Sequence, residues 1–244
     1  MNAKEFLAQI NEAPRALTSQ EIEFCLKGAD AFWVYPNGLP MPDIPHALLV
    51  SGEHSDGYVN VGAALKAYPG MCRAFAMSIV ILLHELWGKV NVSRVVGADT
   101  SSTDLAADVA EIIKVSHIRM IKQEDAEGKK QVWHLDNQPL ETDDIILHIE
   151  ELITTSSSAL QVREGIRRRN PECNVHFFPV FITVVDRSDP DNRVVKVEDS
   201  IVHSLLRLNI RNYDQSNCPH CAIGSQAIKP KEGDNWLKLT GKLQ

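Results

Sequence analysis

The sequence predicts an α/β chain, a parallel sheet with helices on both faces. Three observations carry this. The segments "RVVGA", "HIRMI", "DIILHI" and "VHFFPVFITVVD" are near-continuously apolar, as strands buried on both faces are. Segments of helical period, such as "DLAADVAEII" and "SALQVREGIRRR", separate them. Small polar residues stand at the strand-to-helix turns, at the edge where such sheets hold ligands.

Taken in order, helical patterns cover about residues 3–12 and 19–28, and a Pro- and Gly-rich turn, "VYPNGLPMPDIP", follows. "HALLV" reads as a strand, and "SGEHSDGYVN" as a turn that becomes extended. A long apolar helix covers roughly 70–87 and leads through strand "RVVGA" and polar loop "DTSST" into helix "DLAADVAEII". After strand "HIRMI", the charged stretch "KQEDAEGKKQ" reads as a mobile loop. Strand "DIILHI", a hydroxyl-rich loop, helix "SALQVREGIRRR" and strand "VHFFPVFITVVD" complete the pattern. With no repeat, low-complexity tract or Gly/Ser linker, the expectation is one domain over 1–244. It comprises an N-terminal helical cap (1–45), a core (46–210) and a tail (211–244).

A formal net charge of −7, with acidic residues spread along the chain, argues against a nucleic-acid partner. The apolar run "AFAMSIVILL" is too short to span a bilayer, so no membrane role is expected. The N-terminus lacks a signal-peptide core, and five cysteines, an odd number, point to a reducing cytoplasm.

Two loops suit an anion. One contains Asp99, Thr100 and Ser101. The other holds Thr154, Thr155, Ser156, Ser157 and Ser158. Both open helices, where free N–H groups and the helix dipole favour negative charge. Ser and Thr also cap helices without any ligand. Glu150 and Glu151, just before the second loop, sharpen the reading. Adjacent carboxylates at a strand end repel each other and need a cation, donors or water.

Acidic pair, "ITTSSSA", then helix resembles the phosphoribosyl diphosphate (PRPP) signature of the type I phosphoribosyltransferases. "HALLVSGEHSDGYVN" is similar to the N-terminal segment of orotate phosphoribosyltransferases. "VVGADTSSTDLAADVA" resembles the family's pyrophosphate loop, and "MIKQEDAEGKK" stands in the place of its lysine-bearing catalytic loop. "FITVVDRSD" resembles the late strand ending in Asp-Arg, and "CPHCAIGSQAIKPK" the Cys-Pro-x-Cys tail of one bacterial subgroup. The matches run in family order over residues 46–231.

The resemblance implies a type I phosphoribosyltransferase-like parallel sheet with an N-terminal helical or hood segment. It also implies transfer of the phosphoribosyl group of PRPP to a pyrimidine-like base, with Mg²⁺ bridging diphosphate and ribose oxygens, in a homodimer. Glu150 and Glu151 would hold the ribose 2- and 3-hydroxyls, residues 154–158 the 5-phosphate, and Asp99, Thr100 and Ser101 the pyrophosphate. Lys122, Lys129 and Lys130, assisted by Arg119, would close over the leaving group. Ser51, Gly52, Glu53, Tyr58 and Arg187 would line the base site. The alternative is a paralogue that has lost catalysis and serves as a nucleotide-binding or regulatory module.

Two departures from the family motifs bear on activity. Ser156 and Ser157 replace glycines, and a left-handed serine there would cost roughly 1–2 kcal/mol. Glu53 stands where relatives carry a cation, which disfavours an anionic base and leaves Arg187 either to bind it or to pair with Asp186 or Asp189. Cys218 and Cys221, in "CPHC", have the spacing of half a zinc site without a second half in sequence. Cys173 or His203 could join them only through the tertiary fold, so no metal held by protein side chains is expected.

Overall fold

The computed structural model describes residues 1–36, 41–99, 101–125 and 128–243. Helices α1 (Ala3–Glu12) and α2 (Ser19–Gly28) form the cap. Each starts on a capping box, Asn2 with Glu5 and Thr18 with Glu21, in which side chain and backbone satisfy each other's donors reciprocally. Strands β1 (Phe32–Val34), β2 (His46–Leu48), β3 (His54–Ser55) and β4 (Gly57–Val59) are short, and β1 pairs antiparallel with β4. Helices α3 (Val61–Ala67) and α4 (Pro69–Trp87) then lead to β5 (Arg94–Val96) and α5 (Ser102–Ile113).

The chain continues through β6 (Ser116–Ile118), β7 (Met120–Asp125), β8 (Gly128–Trp133), β9 (Ile145–Ile153), α6 (Ser157–Arg169) and β10 (His176–Asp186). It ends with β11 (Lys196–Val197), β12 (Ser200–Arg207), β13 (Asn212–Tyr213), α7 (Pro219–Ala222), β14 (Ala227–Ile228) and α8 (Asn235–Leu239).

The main sheet has the order β11-β12-β10-β9-β5-β6. All neighbours are parallel except the edge strand β11. Strand β9 therefore lies inside the sheet, between β5 and β10, as its apolar run predicts. Alternate residues serve opposite layers. Leu147 and Ile149 join α1, α2, α4 and α5 in one core, while Ile146 packs with Val162 and Ile166 of α6 in another. Helix α4 is long and apolar enough to cross a membrane, yet Phe75, Ile79 and Leu83 are fully buried in the first core. Pro179 interrupts β10, where the register with β9 shifts between Phe177 and Phe181, since proline has no N–H for the ladder.

Two expectations about this region are corrected. "HIRMI" is not one strand, because the chain leaves the sheet after β6. Residues 122–125 and 128–131 of the charged stretch, read as a loop, pair instead in the antiparallel hairpin β7–β8. Its foot is anchored by Met120 and Trp133, which bury against the α6 side of the sheet, and by buried Gln131. A second sheet, β13-β3-β2-β14, joins tail strands to residues 46–55 through pairs only two residues long.

Candidate active site

Strand β5 ends beside His148, so β9 runs on past it and presents Glu150 and Glu151 to the β5–α5 loop. Glu150 is buried. Its Oε1 accepts the Ala98 N–H at 3.1 Å and meets His148 Nε2 at 2.8 Å. Ser102, in the first turn of α5, lies 2.5 Å from Glu150 Oε2 and also contacts Glu151 Oε2, while its oxygen accepts the Glu151 N–H at 3.0 Å. Gly97 permits this approach, because a Cβ there would lie 2.5 Å from the Ser102 carbonyl oxygen.

A hydroxyl carries one hydrogen and can donate to only one of two carboxylates at a time. Burial raises Glu150 to about 7, against the Ser102 and Ala98 hydrogen bonds that lower it. Burial, then the charge of Glu150, raises Glu151 likewise. Burial also holds His148 far below the usual imidazole range, so it stays neutral beside them. The pair thus has uncompensated acceptor capacity, suited to a vicinal diol or a hard cation.

Past β9, residues 154–158 lead into α6. Thr155 Oγ1 and Ser157 Oγ lie 2.7 Å apart, and no side chain caps the helix at Ser156. The Ser157 N–H donates to Thr155 Oγ1 at 3.5 Å, while the N–H groups of Ser158 and Ala159 have no side-chain acceptor among the described residues. The expected strain is absent. Ser156 has φ −83° and Ser157 is helical, so neither serine takes the left-handed backbone that would carry that cost. Helix α5 likewise has no side-chain cap at Ser101.

The β7–β8 hairpin is tied to the β5–α5 loop. Asp99 N–H donates to Gln131 Oε1 and Gln131 Nε2 to the Asp99 carbonyl, both at 3.0 Å, while the Asp99 carboxylate accepts the Lys122 N–H at 3.0 Å. Lys122 is exposed and pairs in register with Gln131, whereas Lys130 pairs with Gln123. The two lysines therefore stand on opposite faces of the hairpin. Arg119 lies at the β6–β7 corner, its backbone held by Asn137. Thr100 and the Lys129 side chain lie outside the described residues.

The predicted base residues gather around the turn between β2 and β3. Gly52 sits at φ +90°, its N–H bonded to Leu49 O, and Ser51 Oγ donates to Glu53 Oε2 at 2.8 Å. Arg187 is buried and reaches this segment through Ser55 Oγ at 3.3 Å and Asn212 Oδ1 at 2.9 Å, its Nε without a partner among the described residues. The expected pairing with Asp186 or Asp189 is not found. Asp186 takes Arg193 and Arg207 instead. Burial lowers the Arg187 pKa, against the opposing influence of Tyr58, Asp56 and Glu53. Tyr58 also lines a groove of about 320 Å³ with Leu48 and Lys229. A larger cavity, about 500 Å³, lies between α1 and the junction of α3 with α4, and neither carboxylate lines it.

Cys218 and Cys221 do not meet Cys173, which packs near Leu140, or His203 of β12. They meet His46 and His54, all four donor atoms lying within 4.8 Å of one another. The two cysteines therefore have two histidine neighbours, from a distant pair of strands, that no local spacing in the sequence supplies. Gln131, Ser55 and Asn212 are not singled out by the sequence, His148 reads there only as a core or surface histidine, and Ser102 only as a member of the pyrophosphate-like loop. Only Ser102, in "DTSST", carried a local signal.

No protein-family model matches the chain. It is 26% identical over 187 residues to the orotate phosphoribosyltransferase of Caldanaerobacter subterraneus, covering 76% of this chain and 87% of that one. With the enzyme of the same name from Carboxydothermus hydrogenoformans it is 26% identical over 186 residues, with 76% and 88% covered. Among solved structures, orotate phosphoribosyltransferase from Aeropyrum pernix aligns with TM-score 0.52 and 16% identity over 75% of this chain and 91% of that one. Leishmania donovani UMP synthase aligns with TM-score 0.55 and 17% identity over 84% of this chain, which spans 40% of that longer protein.

The fold is that of a type I phosphoribosyltransferase. Within that class the chain resembles the orotate phosphoribosyltransferases.

Proposed function

We propose that the protein transfers the phosphoribosyl group of PRPP to a pyrimidine-like nitrogen base and releases pyrophosphate. The observation that carries this reading is the Glu150–Glu151 pair converging on Ser102 at the end of β9, beside the uncapped start of α6. The carboxylates accept the ribose 2- and 3-hydroxyls, and the 154–158 loop takes the 5-phosphate through N–H groups and hydroxyls. Asp99 and Ser101 adjoin the pyrophosphate, with Lys122 above it. Residues 51–53, Tyr58 and Arg187 hold the base.

In the reaction, the lone pair of a base nitrogen forms the bond to C1. The C1–oxygen bond breaks, and its electron pair leaves with pyrophosphate. The nearby carboxylates favour positive charge developing on the ribose. The carboxylate oxygens suit a hard cation, and Mg²⁺ carried in with PRPP would neutralise charge on the leaving diphosphate. The likeness to orotate phosphoribosyltransferases further supports a homodimer, and the five free cysteines support a cytoplasmic setting. The test is pyrophosphate release from PRPP and Mg²⁺ across a panel of pyrimidine bases. No release with any base, alongside no shift in melting temperature by PRPP and Mg²⁺, would refute the reading.

A further inference from the structure

The second sheet holds a cluster that phosphoribosyl transfer does not use. His46 comes from β2, His54 from β3, Cys218 immediately precedes α7, and Cys221 lies within it. His46 Nε2 lies 2.9 Å from His54 Nδ1 and 3.6 Å from each of the Cys218 and Cys221 sulfurs. Cys221 Sγ lies 3.2 Å from His54 Nδ1. His46, His54 and Cys218 are buried. Zinc bond lengths of about 2.0–2.3 Å and tetrahedral angles require neighbouring donors to be separated by roughly 3.3–3.8 Å. The observed separations lie close to that range.

The tautomer of His46 is also set. Ser225 Oγ donates its hydrogen to the Ile44 carbonyl at 2.6 Å, so it accepts from His46 Nδ1 at 2.8 Å. With the proton on Nδ1, the Nε2 lone pair faces the two sulfurs and His54. Such outer hydrogen bonds orient a ligating imidazole. His220, within the same "CPHC", is not a fifth donor. Its ring packs on His46 and Tyr35, and neither nitrogen has a hydrogen-bond partner among the described residues.

We propose that His46, His54, Cys218 and Cys221 bind one zinc ion as a closed structural Cys₂His₂ site. Two thiolates and two imidazoles are the donor set zinc prefers over hard cations, and four protein ligands leave no open position for chemistry. The site has mechanical work to do. The second sheet is built from strands of two or three residues, too few pairs to hold the tail by themselves. A metal there fastens residues 218–221 to a hairpin far away in sequence. Both histidines flank the 49–53 turn, so the ion also holds the turn that carries Ser51, Gly52 and Glu53. That last consequence rests on the base-site reading. Metal binding itself does not.

The test is zinc content of the full chain purified without chelators, followed by cobalt(II) replacement. About one zinc per chain is expected, with a cobalt spectrum showing thiolate charge transfer and tetrahedral ligand-field bands. The ion should be lost in the double variant C218S/C221S and kept in C173S. Removal by chelator should lower the melting temperature by roughly 5 °C or more. Wild-type protein without zinc after growth in added zinc would overturn the proposal, as would a Cys218–Cys221 disulfide or zinc retained equally by the double variant. If the double variant does not fold, the wild-type cobalt spectrum decides, and absence of thiolate charge transfer overturns the site. None of these readouts depends on turnover, so failure of the transferase reading would leave them unaffected.

Discussion

Replacing Glu151 with Gln should stabilise the ligand-free protein above neutral pH and weaken its hold on a ribose phosphate. Burial, and for Glu151 the neighbouring charge, lifts both carboxylates from 4.5 to about 7. With folded values above unfolded ones, the native state binds extra protons between those limits. The stability this contributes is present below about 4.5, declines as pH rises, and is gone above about 7. One unit is worth about 1.4 kcal/mol, so the full interval corresponds to about 3 kcal/mol. Glu151 is partly exposed and shares its repulsion with Glu150, which reduces the expected gain at pH 8 to about 1–2 kcal/mol. For a chain of this size that raises the melting temperature by about 2–8 °C. Thermal scans should show wild type and Glu151→Gln together at pH 5 and separated at pH 8. Binding should move the opposite way. Calorimetry with ribose 5-phosphate and Mg²⁺ at pH 8 should show a loss of about 1.5–3 kcal/mol, roughly ten- to hundred-fold, from one charge-assisted contact. A variant less stable than wild type at pH 8, or equal affinity in both proteins, would refute the reasoning.

Gly97→Ala should destabilise by about 1–3 kcal/mol and weaken ribose-phosphate binding, since the new methyl collides with the Ser102 backbone. Gly52→Ala, with open space around it but φ +90°, should cost about 1 kcal/mol and leave the binding of ribose 5-phosphate unchanged in the same calorimetric assay. Glu53→Arg should raise kcat/KM for orotate by roughly ten-fold while leaving a neutral base unaffected, because it removes a negative charge near Arg187; equal orotate turnover in steady-state assays would place that carboxylate outside the pocket. Light scattering at micromolar concentration should give twice the 27.2 kDa chain mass, and a monomer would count against the homodimer.

What the sequence determined by itself was local in origin. Helices α1 and α2 were legible from their periodicity, and the structure adds the capping boxes, which act within four residues. Strand β9 was legible because an interior parallel strand must be apolar on both faces, so "IILHI" could end in charge only where the sheet opens to a ligand. The order of the motifs then pointed to the fold. Tertiary structure decided whatever depends on partners distant in the chain. Ser102 meets residues 48 and 49 positions away, and His46 meets Cys218 across 172. No spacing rule in a single sequence encodes such contacts. The raised carboxylates follow from the same cause, since burial is set by what the rest of the chain packs around them. The charged 122–131 stretch read as mobile because its anchors, Met120, Gln131 and Trp133, acquire meaning only against α6 and Asp99. Arg187 chose Asn212 and Ser55 over the adjacent Asp186 because two other arginines already neutralise that aspartate.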